Sequence, residues 1–101
     1  MDQDEGTRYD WDEGKRRQNV RNHGVDFTAA YQFNWDWALT EIDDREDYGE
    51  LREIATGLIG VRLYVLVFTR RGDEEGEVTW IISLRRATNK EKQKYEQRQR
   101  R

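Results

Sequence analysis

The sequence predicts an α+β domain with a small antiparallel sheet around a central hairpin, two N-terminal helices on one face of the sheet and a C-terminal helix. Three features lead to this prediction. Two β-branched and aromatic runs flank a polar, glycine-bearing turn within residues 61–86, capped polar stretches precede them, and a capping-box pattern follows them.

The hairpin is the clearest of these features. Its first run, V-R-L-Y-V-L-V-F-T-R at 61–70, is apolar on both faces and predicts a central strand. In the second run, at 77–86, strict alternation puts Val78, Trp80, Ile82 and Leu84 on one face and Thr79, Ile81, Ser83 and Arg85 on the other. The second set is less apolar and ends in a cation, so we expect functional side chains on that face.

Capping residues predict the two helices before the hairpin. Asp12 is a predicted N-cap for a helix over residues 13–22, and Gly24 is a natural residue for its end. Asp26 is a predicted N-cap for a second helix, which carries an apolar stripe up to Phe33.

The remaining elements are short strands and one further helix. Residues 9–11, 35–42 and 50–59 are predicted to form strands around the hairpin. Thr88 and Glu91 form a capping-box pattern, which predicts that the last helix starts there and continues to about residue 98.

Length and composition limit the class of protein. A chain of 101 residues allows one domain, predicted to span 9–98 between a disordered acidic tail at 1–8 and a basic tail at 99–101. With no cysteine and a single histidine, the chain lacks a disulfide framework and the residues for a cysteine or histidine zinc site, so we expect no metal and no cofactor. The sequence shows neither a signal-peptide pattern nor an apolar run of the roughly 20 residues that span a bilayer, which predicts a cytoplasmic protein with no membrane partner.

Charge is segregated along the chain, although the net charge is only −3. Basic residues concentrate in 14–25, 51–72 and 85–101, and acidic residues concentrate in 26–50 and 73–84. If the basic segments converge in space, they form a positive surface that attracts phosphate. Solvated helix faces are the alternative interpretation of the same runs. Direct DNA binding by the chain alone is disfavoured, because the sequence shows no helix-turn-helix pattern.

A set of short motifs occurs in a familiar order along residues 9–96. They are Tyr9-Asp-Trp-Asp, Lys15, Asn19, His23-Gly-Val, Phe27 with Ala30, Gly49-Glu-Leu-Arg52, Val67-Phe-Thr-Arg70, Ile81-Ile-Ser-Leu-Arg85-Arg-Ala-Thr, Glu91 and Tyr95. Together they resemble the BrnT family of toxins from type II toxin–antitoxin pairs. The most specific part is I-I-S-x-R-x-A-T before a helical Glu and Tyr, downstream of W-D-x-x-K-x-x-x-N-x-x-x-H-G.

This resemblance implies a bacterial or archaeal, metal-independent endoribonuclease of RelE-like fold that inhibits translation. It also implies a ribbon-helix-helix antitoxin, similar to BrnA, and binding of promoter DNA only by the toxin–antitoxin complex. The choice between a monomer and a homodimer stays open. Carried over by position, the implied catalytic residues are Arg52, Arg85, Glu91, Tyr95 and His23, and the implied substrate-binding residues are Lys15, Asn19, Thr69, Arg70 and Ser83.

RNA cleavage without a metal needs a base for the 2′-hydroxyl, a cation for the phosphorane and an acid for the leaving 5′-oxygen. Arg52 and Arg85 are predicted to project from neighbouring strands and to clamp the phosphate, and Lys15 is predicted to add a further contact. The base and the acid are to be sought among three side chains: Glu91, His23 and Tyr95.

Most of these candidates also have a structural interpretation that the sequence leaves open. His23 and Glu91 can serve as helix caps, Tyr95 can serve in packing, and the arginines can pair with nearby carboxylates. Similarly, Trp35 and Trp80 are either core residues or platforms on which a base stacks.

Two functions therefore compete. The first is an endoribonuclease toxin. The second is a catalytically weak, toxin-like interaction module that binds a ribbon-helix-helix antitoxin and, with it, promoter DNA. Asn22 and Trp80 favour the second, because the family pattern usually carries a cation at these positions.

Overall fold

A five-stranded mixed sheet is the scaffold of the computed structural model, which describes residues 6–100. The predicted tail at 1–8 therefore lies largely outside the described residues, and so does the last residue of the predicted tail at 99–101. The strands are β1 (Tyr9–Asp10), β2 (Leu39–Asp43), β3 (Arg52–Ile59), β4 (Arg62–Asp73) and β5 (Gly76–Arg86), in the spatial order β1-β5-β4-β3-β2. The helices are α1 (Glu13–His23), a 3-10 helix (Phe27–Gln32) and α2 (Asn89–Gln99). In residues 6–100, no helix is long and apolar enough to cross a membrane.

The α+β class and the central hairpin are confirmed, but the sheet is not wholly antiparallel as predicted. β4 lies at the centre and pairs antiparallel with β3 and β5, whereas β1 pairs parallel with β5. Two contacts explain this direction. The Arg8 guanidinium binds the Asp73 carboxylate at 3.0 and 2.9 Å, and the Thr79 N–H donates to the Arg8 carbonyl at 2.8 Å. The start of β1 is thereby held beside the start of β5, so both strands run the same way.

The prediction of two N-terminal helices is corrected to one α-helix followed by a six-residue 3-10 helix. Asp26 caps the 3-10 helix as predicted, accepting from the Thr28 N–H at 3.0 Å. The helix ends at Phe33, which turns extended and forms a bridge with Ile59. Phe33 is fully buried, so packing of its ring on the sheet takes precedence over continuing the helix.

A β-bulge in β5 corrects the predicted faces of the hairpin. Ser83 pairs with Val67, whereas Ile81 pairs with the next residue, Phe68, so Ile82 is an extra residue in β5. The simple alternation of side chains is therefore broken at this point. The core face of β5 carries Ile81 and Leu84, and the other face carries Trp80, Ile82, Ser83 and Arg85.

The two faces of the sheet are covered differently. The core face packs Leu66 and Phe68 against Phe27 and Phe33, and Trp35 lies edge-on to the ring of Phe68. Trp35 is thus a core-packing residue, one of the two alternatives that the sequence leaves open. The opposite face, which we call the open face, carries a small apolar cluster of Val65, Val67 and Ala87, and α2 is joined to this side of the sheet by the ion pairs Arg85–Glu91 and Lys94–Glu41. Away from α2, the open face carries Arg71, which is exposed, and Arg52 and Trp80, which are half-buried.

Gly57 of β3 provides a test of the packing around Phe33. A Cβ at this position would lie 2.7 Å from Phe33 Cζ, and the ring is fully buried and has little room to move. We expect Gly57→Ala to lower the free energy of unfolding by about 1–3 kcal/mol, measured by urea denaturation. Gly72→Ala is the matched control, because its Cβ would meet only the Gly76 carbonyl at 4.0 Å. Equal effects of the two substitutions would contradict this account.

Candidate functional site

A cleft of about 390 Å³ lies on the open face, between the start of α1 and strands β3, β4 and β5. We call it the cationic cleft, because three of its side chains are cations and two are carboxylates. The polar and aromatic lining residues are Asp12, Lys15, Glu50, Arg52, Arg71 and Trp80. The cleft brings together two residues of the predicted site, Lys15 and Arg52, from a helix and a strand that are distant in sequence.

Arg52 lacks an ion-pair partner among residues 6–100. Its guanidinium lies 3.9 Å from the centre of the Tyr48 ring, and its buried Nε has no hydrogen-bond acceptor. Asp43, directly opposite in β2, binds Arg45 instead, with 2.7 Å between Oδ1 and the Arg45 Nε. That hydrogen bond lowers the pKa of Asp43 to about 2. The carboxylate opposite Arg52 is therefore engaged by Arg45, and none of the carboxylates within residues 6–100 forms an ion pair with Arg52.

Three charged residues of the cleft, Asp12, Glu50 and Arg71, are absent from the predicted site. Arg71 lies 4.2 Å above the ring of Trp80, and its Nη2 is 3.6 Å from Glu50 Oε2. Side chains two residues apart in a strand lie on the same face, and Val67 lies on the open face. The spacing of Val67, Thr69 and Arg71 in the sequence therefore indicates that Arg71 lies there too. Glu50 belongs to the Gly49-Glu-Leu-Arg52 motif, but it lies in the connection between β2 and β3, where no strand alternation predicts which way its side chain faces.

The predicted placement of Arg52 and Arg85 on neighbouring strands is wrong, because β4 lies between β3 and β5. Across the sheet, Arg85 of β5 pairs with Val65 of β4, and Val65 pairs with Thr56 of β3. Arg52 lies four residues before Thr56 in β3. Strand geometry separates the two arginines by about 13 Å along the strands and about 10 Å across them. They share the open face but do not form a single clamp.

Arg85 binds Glu91 of α2. Both guanidinium nitrogens Nη1 and Nη2 donate to the Glu91 carboxylate at 2.8 Å, and the Thr88 N–H donates to the same carboxylate at 2.8 Å. The predicted capping box of Thr88 and Glu91 is present. These hydrogen bonds, that from Arg85 first, lower the pKa of Glu91 to about 2 although partial burial opposes the shift. Glu91 is thus an ionised carboxylate with both oxygens engaged.

Asn19 connects α1 to the sheet. Its Nδ2 donates to the carbonyls of Leu84 at 2.7 Å and Val25 at 2.9 Å, and its Oδ1 accepts from the Leu84 N–H at 3.3 Å. The side chain is buried, and both amide hydrogens have acceptors within the protein. β1 pairs with β5 only at Thr79 and Trp80. At Leu84 the Asn19 side-chain amide therefore makes the backbone hydrogen bonds that a longer β1 would make.

The other predicted residues are dispersed over the fold. Thr69 is buried and donates to the Leu51 carbonyl at 2.7 Å. Arg70 lies on the core-face side of the sheet, where it pairs with Glu53 and Glu77 at 2.8 and 3.0 Å. Neither residue lies in the cationic cleft.

Three further residues complete the predicted site. His23 is exposed at the end of α1, before Gly24. Tyr95 is buried, donates to the Trp37 carbonyl at 2.9 Å, and has its pKa raised by that burial. Ser83 lies on the open face with Arg85. Among residues 6–100, no three His, Cys, Asp or Glu side chains are grouped as metal ligands would be.

The role of Asn19 in stability can be tested directly. Asn19→Ala leaves the buried N–H and C=O of Leu84 without these partners, so we expect the free energy of unfolding to fall by about 2 kcal/mol or more. Asn22→Ala, an exposed position on the same helix, is the control and should have little effect. Urea denaturation measures both, and an unchanged stability of Asn19→Ala would contradict the role assigned to this amide.

The lowered pKa of Glu91 predicts that the free energy of unfolding depends on pH. Because the folded-state pKa of about 2 is below the ordinary value of 4.5, the carboxylate stabilises the fold fully above about pH 4.5, and this contribution is lost as the pH falls towards 2. We expect Glu91→Gln to be less stable than the wild-type chain at pH 7, with a smaller difference at pH 3, as measured by urea denaturation. Glu96→Gln, on an exposed site of the same helix, should show no such change. A Glu91→Gln difference that is equal at both pH values would contradict the assignment.

Comparison with known proteins identifies the family. The family model described as "Ribonuclease toxin, BrnT, of type II toxin-antitoxin system" matches residues 11–91. A comparison with curated proteins found no match. The matched segment runs from Trp11 to Glu91 and so contains the whole cationic cleft. The chain belongs to the BrnT family of ribonuclease toxins from type II toxin–antitoxin systems.

Proposed function

We propose that this chain is a metal-independent endoribonuclease that inhibits translation by cutting RNA. The observation that carries the proposal is the Arg52 guanidinium, which has no ion-pair partner within residues 6–100 and lies in a cleft with Lys15 and Arg71. Family membership supports the reaction class, and the three cations of the cleft support this place for it.

The cleft has the chemistry to bind a phosphodiester. Arg52 offers planar, paired donors to two phosphate oxygens, and the Lys15 ammonium offers a further positive charge. Both interactions strengthen as negative charge builds up on the phosphorane, so they favour the transition state over the ground state. These cations supply the charge that a metal ion supplies in other nucleases.

Trp80 gives the same cleft a surface for a nucleobase. Its indole is half-buried, lines the cleft and is stacked with the Arg71 guanidinium. Stacking of bases on such groups is tolerant of sequence, because every base presents a π-face. We propose that an unpaired nucleotide packs against this pair while its phosphate contacts Arg52. Arg85, farther along the open face, is proposed to contact the RNA at a more distant phosphate.

The proposed partner is a ribbon-helix-helix antitoxin, similar to BrnA, which binds promoter DNA together with this chain in the cytoplasm. A type II toxin has a protein antitoxin. Three exposed apolar side chains of this chain form a surface that such a protein could cover. Trp37, Ile42 and Leu51 are 63%, 54% and 62% exposed near the edge strand β2. Exposed apolar groups beside a sheet edge favour a protein partner. This surface is also what supports the alternative function, a weakly catalytic interaction module.

Arg52→Ala tests the ribonuclease proposal. Because the guanidinium is proposed to stabilise the transition state, we expect RNA cleavage by the purified variant to fall by about a hundredfold or more. Cleavage is measured in EDTA on a labelled single-stranded RNA, and growth arrest is measured on expression without an antitoxin. The wild-type chain should cleave the RNA in EDTA and should arrest growth.

Arg70→Ala is the matched control, because it removes the same charge from the opposite side of the sheet. Its pair with Glu77 is exposed, whereas the Glu53 side chain is only 14% exposed, so we expect the substitution to cost about 1–3 kcal/mol of stability and to leave cleavage by the folded variant intact. If both variants cleave RNA like the wild-type chain, the cleft is not the active site. If the wild-type chain neither cleaves RNA nor arrests growth, the interaction module is the better account.

A further inference from the structure

The cationic cleft contains a carboxylate that is suitably placed for proton transfer. Glu50 lines the cleft with Lys15, Arg52 and Arg71, and its nearest charged contact is Arg71, at 3.6 Å. That distance is beyond a hydrogen bond, so the pairing is loose. A carboxylate in so loose a contact keeps lone pairs available for a substrate hydroxyl.

The other acidic and basic groups considered for this role are less suitable. Asp12, the second carboxylate of the cleft, is the N-cap of α1 and accepts from the Lys15 N–H at 3.0 Å. Glu91 has both oxygens bound by Arg85 and lies with it away from the cleft lining. His23 and Tyr95 also lie outside the cleft lining.

We propose that Glu50 is the general base of RNA cleavage, an assignment that rests on the ribonuclease function proposed above. The Glu50 carboxylate takes the proton of a ribose 2′-hydroxyl, and the 2′-oxygen forms a bond to the adjacent phosphorus. The bond from phosphorus to the 5′-oxygen breaks, and that oxygen takes a proton from solvent at the open mouth of the cleft. The products are a 2′,3′-cyclic phosphate and a 5′-hydroxyl end. Arg52 and Lys15 hold the phosphate throughout.

Glu50→Gln separates catalysis from binding. General-base catalysis contributes about 10²–10⁴-fold, so we expect cleavage of a labelled single-stranded RNA to fall by about a hundredfold or more. Binding of the same RNA with 2′-O-methyl groups, which cannot be cleaved, should be as tight or tighter, because a negative charge has been removed from the cleft. Glu50→Asp should restore part of the cleavage rate. Glu46→Gln, which makes the same charge change at an exposed position of the same connection, is the control and should cleave normally.

Each outcome decides the proposal. Loss of cleavage with retained RNA binding, together with partial activity of Glu50→Asp, supports the role. Cleavage by Glu50→Gln at the wild-type rate overturns it, and so does a parallel loss of cleavage and of binding, which indicates a structural role. If the wild-type chain cleaves no RNA, the ribonuclease proposal itself fails and this role fails with it.

Discussion

The β-bulge at Ile82 determines which side chains the sheet presents to a ligand. Without the extra residue, Trp80 and Arg85 would lie on opposite faces of β5. With it, both lie on the open face, while Ile81 and Leu84 are both buried in the core. Burial of the Ile81 and Leu84 side chains stabilises the fold by about 1.5–3 kcal/mol each. This gain offsets the backbone pairing between β4 and β5 that is lost at the bulge. The arrangement of the cleft is therefore determined by the packing of the opposite face.

The position of Lys15 depends on a second structural contact. β1 is only two residues long, so β5 has an unpaired edge at Leu84 that needs hydrogen-bond partners. The Asn19 amide supplies them and thereby fixes α1 along this edge. Lys15 lies one helical turn before Asn19 and consequently reaches the cleft beside Arg52. Asn19, which the resemblance implies to be a substrate-binding residue, thus holds the helix that carries Lys15.

Local signals predicted much of the fold from the sequence. The N-cap at Asp12, the helix end at Gly24 and the capping box at Thr88 are all present, because each depends on residues within a few positions. What was missed depends on contacts distant in sequence. The 3-10 helix ends because Phe33 packs over Gly57, and β1 runs parallel because of its contacts with the start of β5. The same distinction applies to the lining of the cleft: Lys15 and Arg52 are candidates from the sequence, whereas Arg71 and Glu50 join them only in the folded chain.

Local pairing also explains how a chain with a net charge of −3 maintains a cationic cleft. Many of its carboxylates are neutralised in pairs outside the cleft, such as Asp73 with Arg8, Glu41 with Lys94 and Glu91 with Arg85. Charges beyond about 8 Å are largely screened at physiological salt, so a phosphate in the cleft responds mainly to the groups that line it. The most informative of these pairs is Asp43 with Arg45. Because Arg45 engages the carboxylate directly across from Arg52, that carboxylate does not neutralise Arg52, which is the condition that the proposed binding of a phosphate requires.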